Sequence, residues 1–384
     1  MINPIRSLRH SRALLASTTR SIATVAALGL IASSSGIGGA ALAQLTSAIT
    51  SVRGDLSQSQ TLVLEEHVSR YVADLREGEA EQIRIAREEL ARPLERPASS
   101  RDFRRAYDGL LTSELESILD NDETSVAAKI NALIVLGRMA SSDSIEVMAE
   151  HLESPMDAIR YASAMSYKLM FEQVVGEMHT FNLSSELSAI QSNLQDALAA
   201  ERQPIVMHAQ IQSIAAMPQP ETAIEALTNA LESQIADIHA NGPGSEPEAA
   251  TRRLLRVREG LDAAMRRYTD LIGANPSLRR SQQRELAITS AAILIAATDR
   301  SVEGDLTGDV KPMWDSLVRT TENILNVVTG QSRESNEVSD AFVGERYDEA
   351  QRALNRFWLS DTGPLYGEPI RDIDADDVQS ALNG

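Results

Sequence analysis

The sequence predicts an all-α fold, on three observations. Apolar residues recur at spacings of three and four along most of the chain, the signature of helices with one buried face. Hydrophobic residues make up 43% and aromatic residues only 4%, so the core must be built from Leu, Ala, Ile, Val and Met, which suits packed helices better than sheets. No segment alternates β-branched and aromatic residues between turn residues, as a strand would. The 384 residues are enough for two or three domains of ordinary size.

Residues 1–43 read as a signal peptide. Arg6, Arg9, Arg12 and Arg20 make a positive start, and the first acid is Asp55. An apolar run follows from Ile22 to Ala32, too short to span a bilayer, and small residues then lead to Ala41-Leu42-Ala43. Signal peptidase admits only small side chains at the two alanine positions, so cleavage is expected between Ala43 and Gln44. The expected location is the periplasm or the exterior, reached by a Sec-type route. No Arg-Arg pair precedes the apolar run, which argues against twin-arginine export, and without cysteine there is no residue to carry a lipid. Cleavage removes four arginines and no acid, so the formal charge falls from −19 to −23. A charge of that size repels nucleic acid and anionic membranes at long range, which leaves protein as the expected partner class. The absence of cysteine also rules out disulfides and thiolate chemistry.

Residues 44–100 predict a helical hairpin. Leu62, Leu64, Val68, Tyr71, Val72 and Leu75 share one helical face; Gly78 breaks the chain; Ile83, Ile85, Leu90 and Leu94 mark the return helix. Pro93, Pro97 and the Ala98-Ser99-Ser100 stretch close that unit. Within residues 101–241 one helix from about Asp102 to Asp120 is followed by short helices alternating with short breaks. Ser144–Ser154 aligns without gaps on Ala223–Ser233, at an offset of 79 residues, with five of eleven positions identical. Ile145, Met148 and Leu152 form a stripe that Ile224, Leu227 and Leu231 repeat, and Glu146 and Glu225, one residue on and roughly 100° round each helix, are expected to face solvent on one common side.

In this region the chain resembles HEAT repeats. Ala132 to Gly137, the Ser141-Ser142-Asp143 break and Ile145 to Leu152 look like one repeat, and Ser154-Pro155 followed by Ile159 to Ala162 is similar to the start of the next. Arg160 stands where that family often has a basic residue on its first helix, with Lys129 matching it 31 residues earlier. The resemblance implies an α-solenoid with a concave binding surface. Phe171 to Asn182 is an insertion without a repeat counterpart.

Residues 242–248, rich in Gly and Pro, read as a linker, and residues 249–360 as a bundle of longer helices. Leu254, Val257, Leu261, Met265, Tyr268 and Leu271 keep strict spacing along one helix. Leu286 to Ala297 is apolar all round and predicts a buried central helix, at 12 residues too short to cross a membrane. Residues 361–384 are an acidic tail with a short helix capped by Asp374. Asp372, Asp374 and Asp376 imitate the start of a calcium loop, but Asp377 stands where glycine is needed and Asn383 where glutamate is needed.

No catalytic, metal or cofactor motif stands out. The six histidines (His10, His67, His151, His179, His208 and His239) include no pair at metal-ligand spacing, and glycine-rich phosphate loops and Gly-x-Ser-x-Gly elbows are missing. Only a basic excess calls for a reading of its own. Arg252, Arg253, Arg256, Arg258, Arg266, Arg267, Arg279, Arg280 and Arg284 face only Glu259, Asp262 and Asp270 in the same segment. Arg252, Arg253, Arg256, Arg266, Arg267, Arg279 and Arg280 are candidates for an anionic partner, or else they pair with acids elsewhere in the chain. The function this predicts is a non-enzymatic, exported interaction scaffold. The alternative is an exported all-helical enzyme working through carboxylates, such as one acting on a polysaccharide, whose acid pair is recognisable only in space.

Overall fold

The computed structural model describes residues 45–383, apart from 46, 97–98, 245, 275–278, 303–305, 307–309, 332–335, 361–362 and 366–372. The signal-peptide residues Ala41, Ala43 and Gln44 lie outside it. The described residues are all-helical and contain no strand. Sixteen α-helices follow in order: α1 (Ser47–Thr50), α2 (Gln58–Glu77), α3 (Ala80–Ala91), α4 (Arg101–Asp120), α5 (Val126–Met139), α6 (Ser142–His151), α7 (Asp157–Val175), α8 (Leu183–Ala200), α9 (Pro204–Ala215), α10 (Pro220–Asn241), α11 (Pro247–Ala274), α12 (Arg279–Val302), α13 (Lys311–Thr329), α14 (Glu337–Val343), α15 (Tyr347–Ala353) and α16 (Ala375–Asn383). A π-helical turn, Leu354–Trp358, prolongs α15.

The helix limits are written locally. Ser57, Ser100, Ser125 and Ser141 each cap a helix by accepting the N–H three residues on. Pro204 and Pro220 open α9 and α10, where a missing N–H costs nothing. Gly242 and Gly330 end α10 and α13 with positive φ. Asp374 accepts the Asp377 N–H at 2.9 Å and so caps α16.

Consecutive helices pair as hairpins: α2 with α3, α4 with α5, α6 with α7, α8 with α9, α10 with α11 and α12 with α13. The pairs stack in two layers. In one layer α3, α5, α7, α9, α11 and α13 each pack on the next, and in the other α2, α4, α6, α8, α10 and α12 do the same. From α3 to α9 the odd-numbered neighbours pack much more extensively than the even-numbered ones. Small residues make this possible. A Cβ on Gly137 would lie 2.4 Å from the Ser166 carbonyl oxygen, so only glycine lets α5 approach the α7 backbone. Ser213 of α9 donates across to the Ala164 carbonyl of α7 at 2.5 Å, and Ala132, Ala164 and Ala209 are fully buried.

The residues aligned at the 79-residue offset occupy matching places. Ile145 is 4% exposed and Ile224 0%; Met148, Leu152, Leu227 and Leu231 are buried; Glu146 and Glu225 are exposed. Both segments begin helices of the even layer, two hairpins apart. The predicted linker falls between α10 and α11, which pack along each other extensively; Gly242 and Pro243 are buried, and Pro247 already opens α11. Leu286 to Ala297 lies within α12, enclosed by α10, α13, α15 and α16, and all its residues but Ile295 are buried. The acidic tail returns to the molecule: α16 packs on α10 and α12, with Val378, Ala381 and Leu382 buried and Asp377 paired to Arg284 at 2.5 Å.

Candidate functional site

Among the described residues, the arginines of this segment have different surroundings. Arg252 and Arg253 start α11 and pair with Glu248 at 3.7 Å and Asp237 at 2.5 Å. Arg266 and Arg267 lie 14 residues on, about 20 Å along the helix axis. Arg267 donates to the Met217 carbonyl at 2.8 Å and meets Asp270 at 3.3 Å. Arg266 and Arg280 are exposed, and the Arg279 side chain falls outside the described residues. Arg256 corrects the expectation of a surface group. It is 7% exposed and its guanidinium donates to Gln234 Oε1 at 2.8 Å and to the Glu201 and Ala199 carbonyls. Burial lowers its pKa, and the carbonyls give the trapped charge its hydrogen bonds.

Glu201 sits beside it at the end of α8. Burial works against this carboxylate, yet Arg160 and the Arg202 and Gln203 N–H groups hold it below the usual range. Arg160 meets it at 2.7 Å and also binds Asp157 and the Ser154 carbonyl. The residue that resembles the basic position of HEAT repeats therefore ties α7 to the α8–α9 connection.

Half-buried stripes lie along several of the odd-numbered helices. Along α5 the half-buried stripe is Ile130, Asn131, Ile134 and Arg138; along α7 it is Tyr161, Met165, Lys168 and Leu169; α11 continues it with Leu255, Arg258, Glu259 and Asp262. Each stripe follows spacings of three and four, which keeps it on one side of its helix. Polar contacts join some of these helices to their neighbours. Arg87 of α3 donates to Asn131 of α5 at 3.0 Å, Arg138 pairs with Glu95 and feels Glu172 of α7, and His208 of α9 meets Glu259 of α11 at 3.1 Å. Burial first, then Arg87, lowers the Arg138 pKa. A polar cavity of about 270 Å³ opens here between Arg87, Arg92, Glu95 and Arg138. The stripes thus combine apolar side chains that are only half covered with charges already engaged in pairs.

Two carboxyls depart furthest from ordinary behaviour. Glu285 of α12 is pushed up to about 7, by burial first and then by Glu225. Asp108 of α4 is 4% exposed and is also pushed up to about 7, again chiefly by burial. Sequence reasoning named neither. The Asp108 signal was present, because it shares a helical face with Arg104, Leu111 and Leu115, where an acid is out of place. Among the described residues, no group of three or more acids and histidines is arranged to hold a metal ion, and no helix is long and apolar enough to cross a membrane.

A scan against protein-family models finds no match for this chain, and a search of curated proteins finds no similar sequence.

Proposed function

We propose that the chain is an exported α-solenoid scaffold, with HEAT-like repeats, that binds another protein on the free face of its odd-numbered helices. The observation that carries this reading is the two-layer stacking of successive hairpins, in which every odd-numbered helix from α3 to α13 packs on the next. From α3 to α9 the odd layer is the tighter one, and the layer whose helices approach most closely lies inside a bend. Its free face is then concave, the surface that repeat proteins use for recognition. The matching burial of Ile145 and Ile224 supports a repeat of two hairpins. The Arg-rich start, the Ile22–Ala32 run and Ala41-Leu42-Ala43 support export, with Gln44 as the mature N-terminus.

Photo-crosslinking in intact cells tests the binding face. A crosslinker at Tyr161 is expected to give an adduct with a second protein, whereas one at exposed Glu146 in the other layer gives none. Adducts at Glu146 alone, or at neither position, would refute the face.

One observation favours a second reading, a carboxylate enzyme. Glu285, with its carboxyl near 7, is felt by both Glu225 and Glu232, so a group able to hold a proton at neutral pH lies near two further carboxyls. Turnover of an envelope polysaccharide that Glu285→Gln abolishes would establish it; no turnover would dismiss it.

A further inference from the structure

The segment that interrupts the repeat is tied down in an unusual way. Residues 176–182 leave α7 through Glu177, whose φ of 55° lies in the left-handed region, and run to the start of α8. They belong to the connection between the third and fourth hairpins, yet their polar contacts reach back to the second. Arg104 of α4 donates to the Met178 carbonyl at 3.1 Å, and the Thr180 N–H donates to the Ala140 carbonyl at the end of α5 at 3.1 Å. The Thr180 hydroxyl donates to Asp108 Oδ2 at 3.0 Å. Phe181 is 4% exposed and adds an apolar anchor. The stretch is a strap laid across the α4–α5 hairpin.

Asp108 is an odd anchor for it. Its carboxyl is almost wholly enclosed, Oδ2 has one hydroxyl partner and Oδ1 has no hydrogen bond. Arg104, four residues earlier, favours the charged form only through space, because its guanidinium donates to the Met178 and Arg96 carbonyls. The other groups around it are few. Asp143 of α6 repels a charge on Asp108, Tyr107 on α4 is buried with its hydroxyl on the Leu90 carbonyl, and α2 places His67 against Tyr107. The strap itself brings His179 and Glu177, which with Ser99, Arg101 and Arg104 line a cavity of about 210 Å³. A charged Asp108 is therefore poorly served while the strap is closed, and it gains water when the strap lifts. A neutral Asp108 has a good arrangement when closed: its O–H donates to Thr180 Oγ1, whose own hydrogen turns toward the Ala140 carbonyl 3.5 Å away.

We propose that the 176–182 strap is a releasable clamp across the second hairpin, held closed by a neutral Asp108 and loosened when Asp108 carries a charge. The sign follows from linkage. The closed state raises the carboxyl to about 7, and the open state returns it toward the ordinary value near 3.8. The closing contribution is complete below the open-state value and is lost as pH rises through the closed-state value. Opening thus increases by at most about tenfold per pH unit between about 4 and 7, and levels off above. His179 acts in the opposite sense. Burial, then Arg101, depresses its pKa, so the closed strap prefers it neutral and acid favours opening through this group. By joining or releasing the second hairpin and the third-to-fourth connection, the clamp would stiffen or relax the stack that carries the proposed binding face.

Hydrogen exchange of the 177–181 amides in the mature protein at pH 5, 6, 7 and 8 tests the clamp, with the intrinsic pH dependence of exchange divided out. The wild type is expected to open several-fold more per pH unit from 5 to 7 and then level off. Asp108→Asn keeps the shape and fixes the neutral state, so only the His179 limb remains and the slope reverses. Thr180→Val covers the case in which that variant does not fold. Its carboxyl loses a hydroxyl that favours ionisation, so the plateau moves to higher pH while the strap opens more at every pH. A flat or acid-opened wild-type strap, or an Asp108→Asn strap that keeps the wild-type slope, would overturn the proposal.

Discussion

The stretch from α3 to α9 and the stretch from α10 to α13 follow one pairing scheme but close on opposite sides. In the first, α5 packs on α7 and α7 on α9 far more extensively than α4 does on α6 or α6 on α8. In the second the order reverses, since α10 packs on α12 more extensively than α11 on α13. The residues explain it. Gly137, Ala164, Ser166, Ala209 and Ser213 let the odd-numbered helices of the first region touch backbone to backbone. In the second region Tyr268 and Trp314, on α11 and α13, are fully buried, and so are the small residues Ala287, Ala291 and Ala292 on α12. Helix separation follows side-chain volume, so the placement of small residues helps set which layer packs more closely in each region.

The largest test of the comparison falls on the bulky residues. Trp314→Ala should cost about 3–5 kcal/mol in urea unfolding, through lost burial and a large cavity. A cost under about 1 kcal/mol would mean that Trp314 does not set the spacing of the second region. Next come Ile145→Ala and Ile224→Ala, one in each region. Each should cost about 2–5 kcal/mol, and similar costs are expected if both sit at one repeat position.

The glycines separate the regions more finely. Gly137→Ala pushes a methyl into the Ser166 backbone and should cost about 1–3 kcal/mol. Gly260→Ala in α11 meets only the end of the Leu231 side chain, 2.8 Å away, which can move, so its cost should be smaller. Equal costs would remove the claim that backbone contact is special to the first region.

Glu285→Gln should stabilise the protein at pH 8 by about 1–2 kcal/mol, after discounting for its partial exposure. Burial raises this carboxyl to about 7, so its stability contribution is present below the ordinary carboxylate value and is lost as pH rises through 7. The gain should vanish near pH 4; a thermal midpoint that does not rise at pH 8 would contradict it. The smallest effect concerns the paired glutamates. Glu146→Gln should change stability by less than about 0.5 kcal/mol. Glu225→Gln should be equally mild but should lower the Glu285 pKa, because Glu225 repels the Glu285 charge. A carboxyl titration that ignores Glu225 would break that link.

Much of the helix pattern was legible in the chain itself. The Ile145 and Ile224 stripes, the apolar Leu286–Ala297 segment and the Asp374 cap all depend on neighbours within a few residues, and each is found buried or bonded as that spacing implies. The candidate site was less legible. The seven arginines singled out for an anionic partner share a segment and a charge, yet Arg256 turns inward to carbonyls 55 and 57 residues away while Arg266 stays exposed. Asp108 stood on an apolar stripe, but its partner Thr180 is 72 residues distant in a segment that matched no repeat.

By itself, then, the sequence determined that the chain is helical, where many of the helices begin and most of the stripes they bury, because capping and three-to-four spacing act within a turn or two of the chain; Leu62, placed by spacing on the buried face of α2, is instead 59% exposed. Only the tertiary structure decided which layer is tighter, which arginines face inward and which carboxyls keep a proton near neutral pH. Those outcomes depend on desolvation and on hydrogen-bond partners that the chain brings from far away, and neither is a property of the residue or its immediate neighbours.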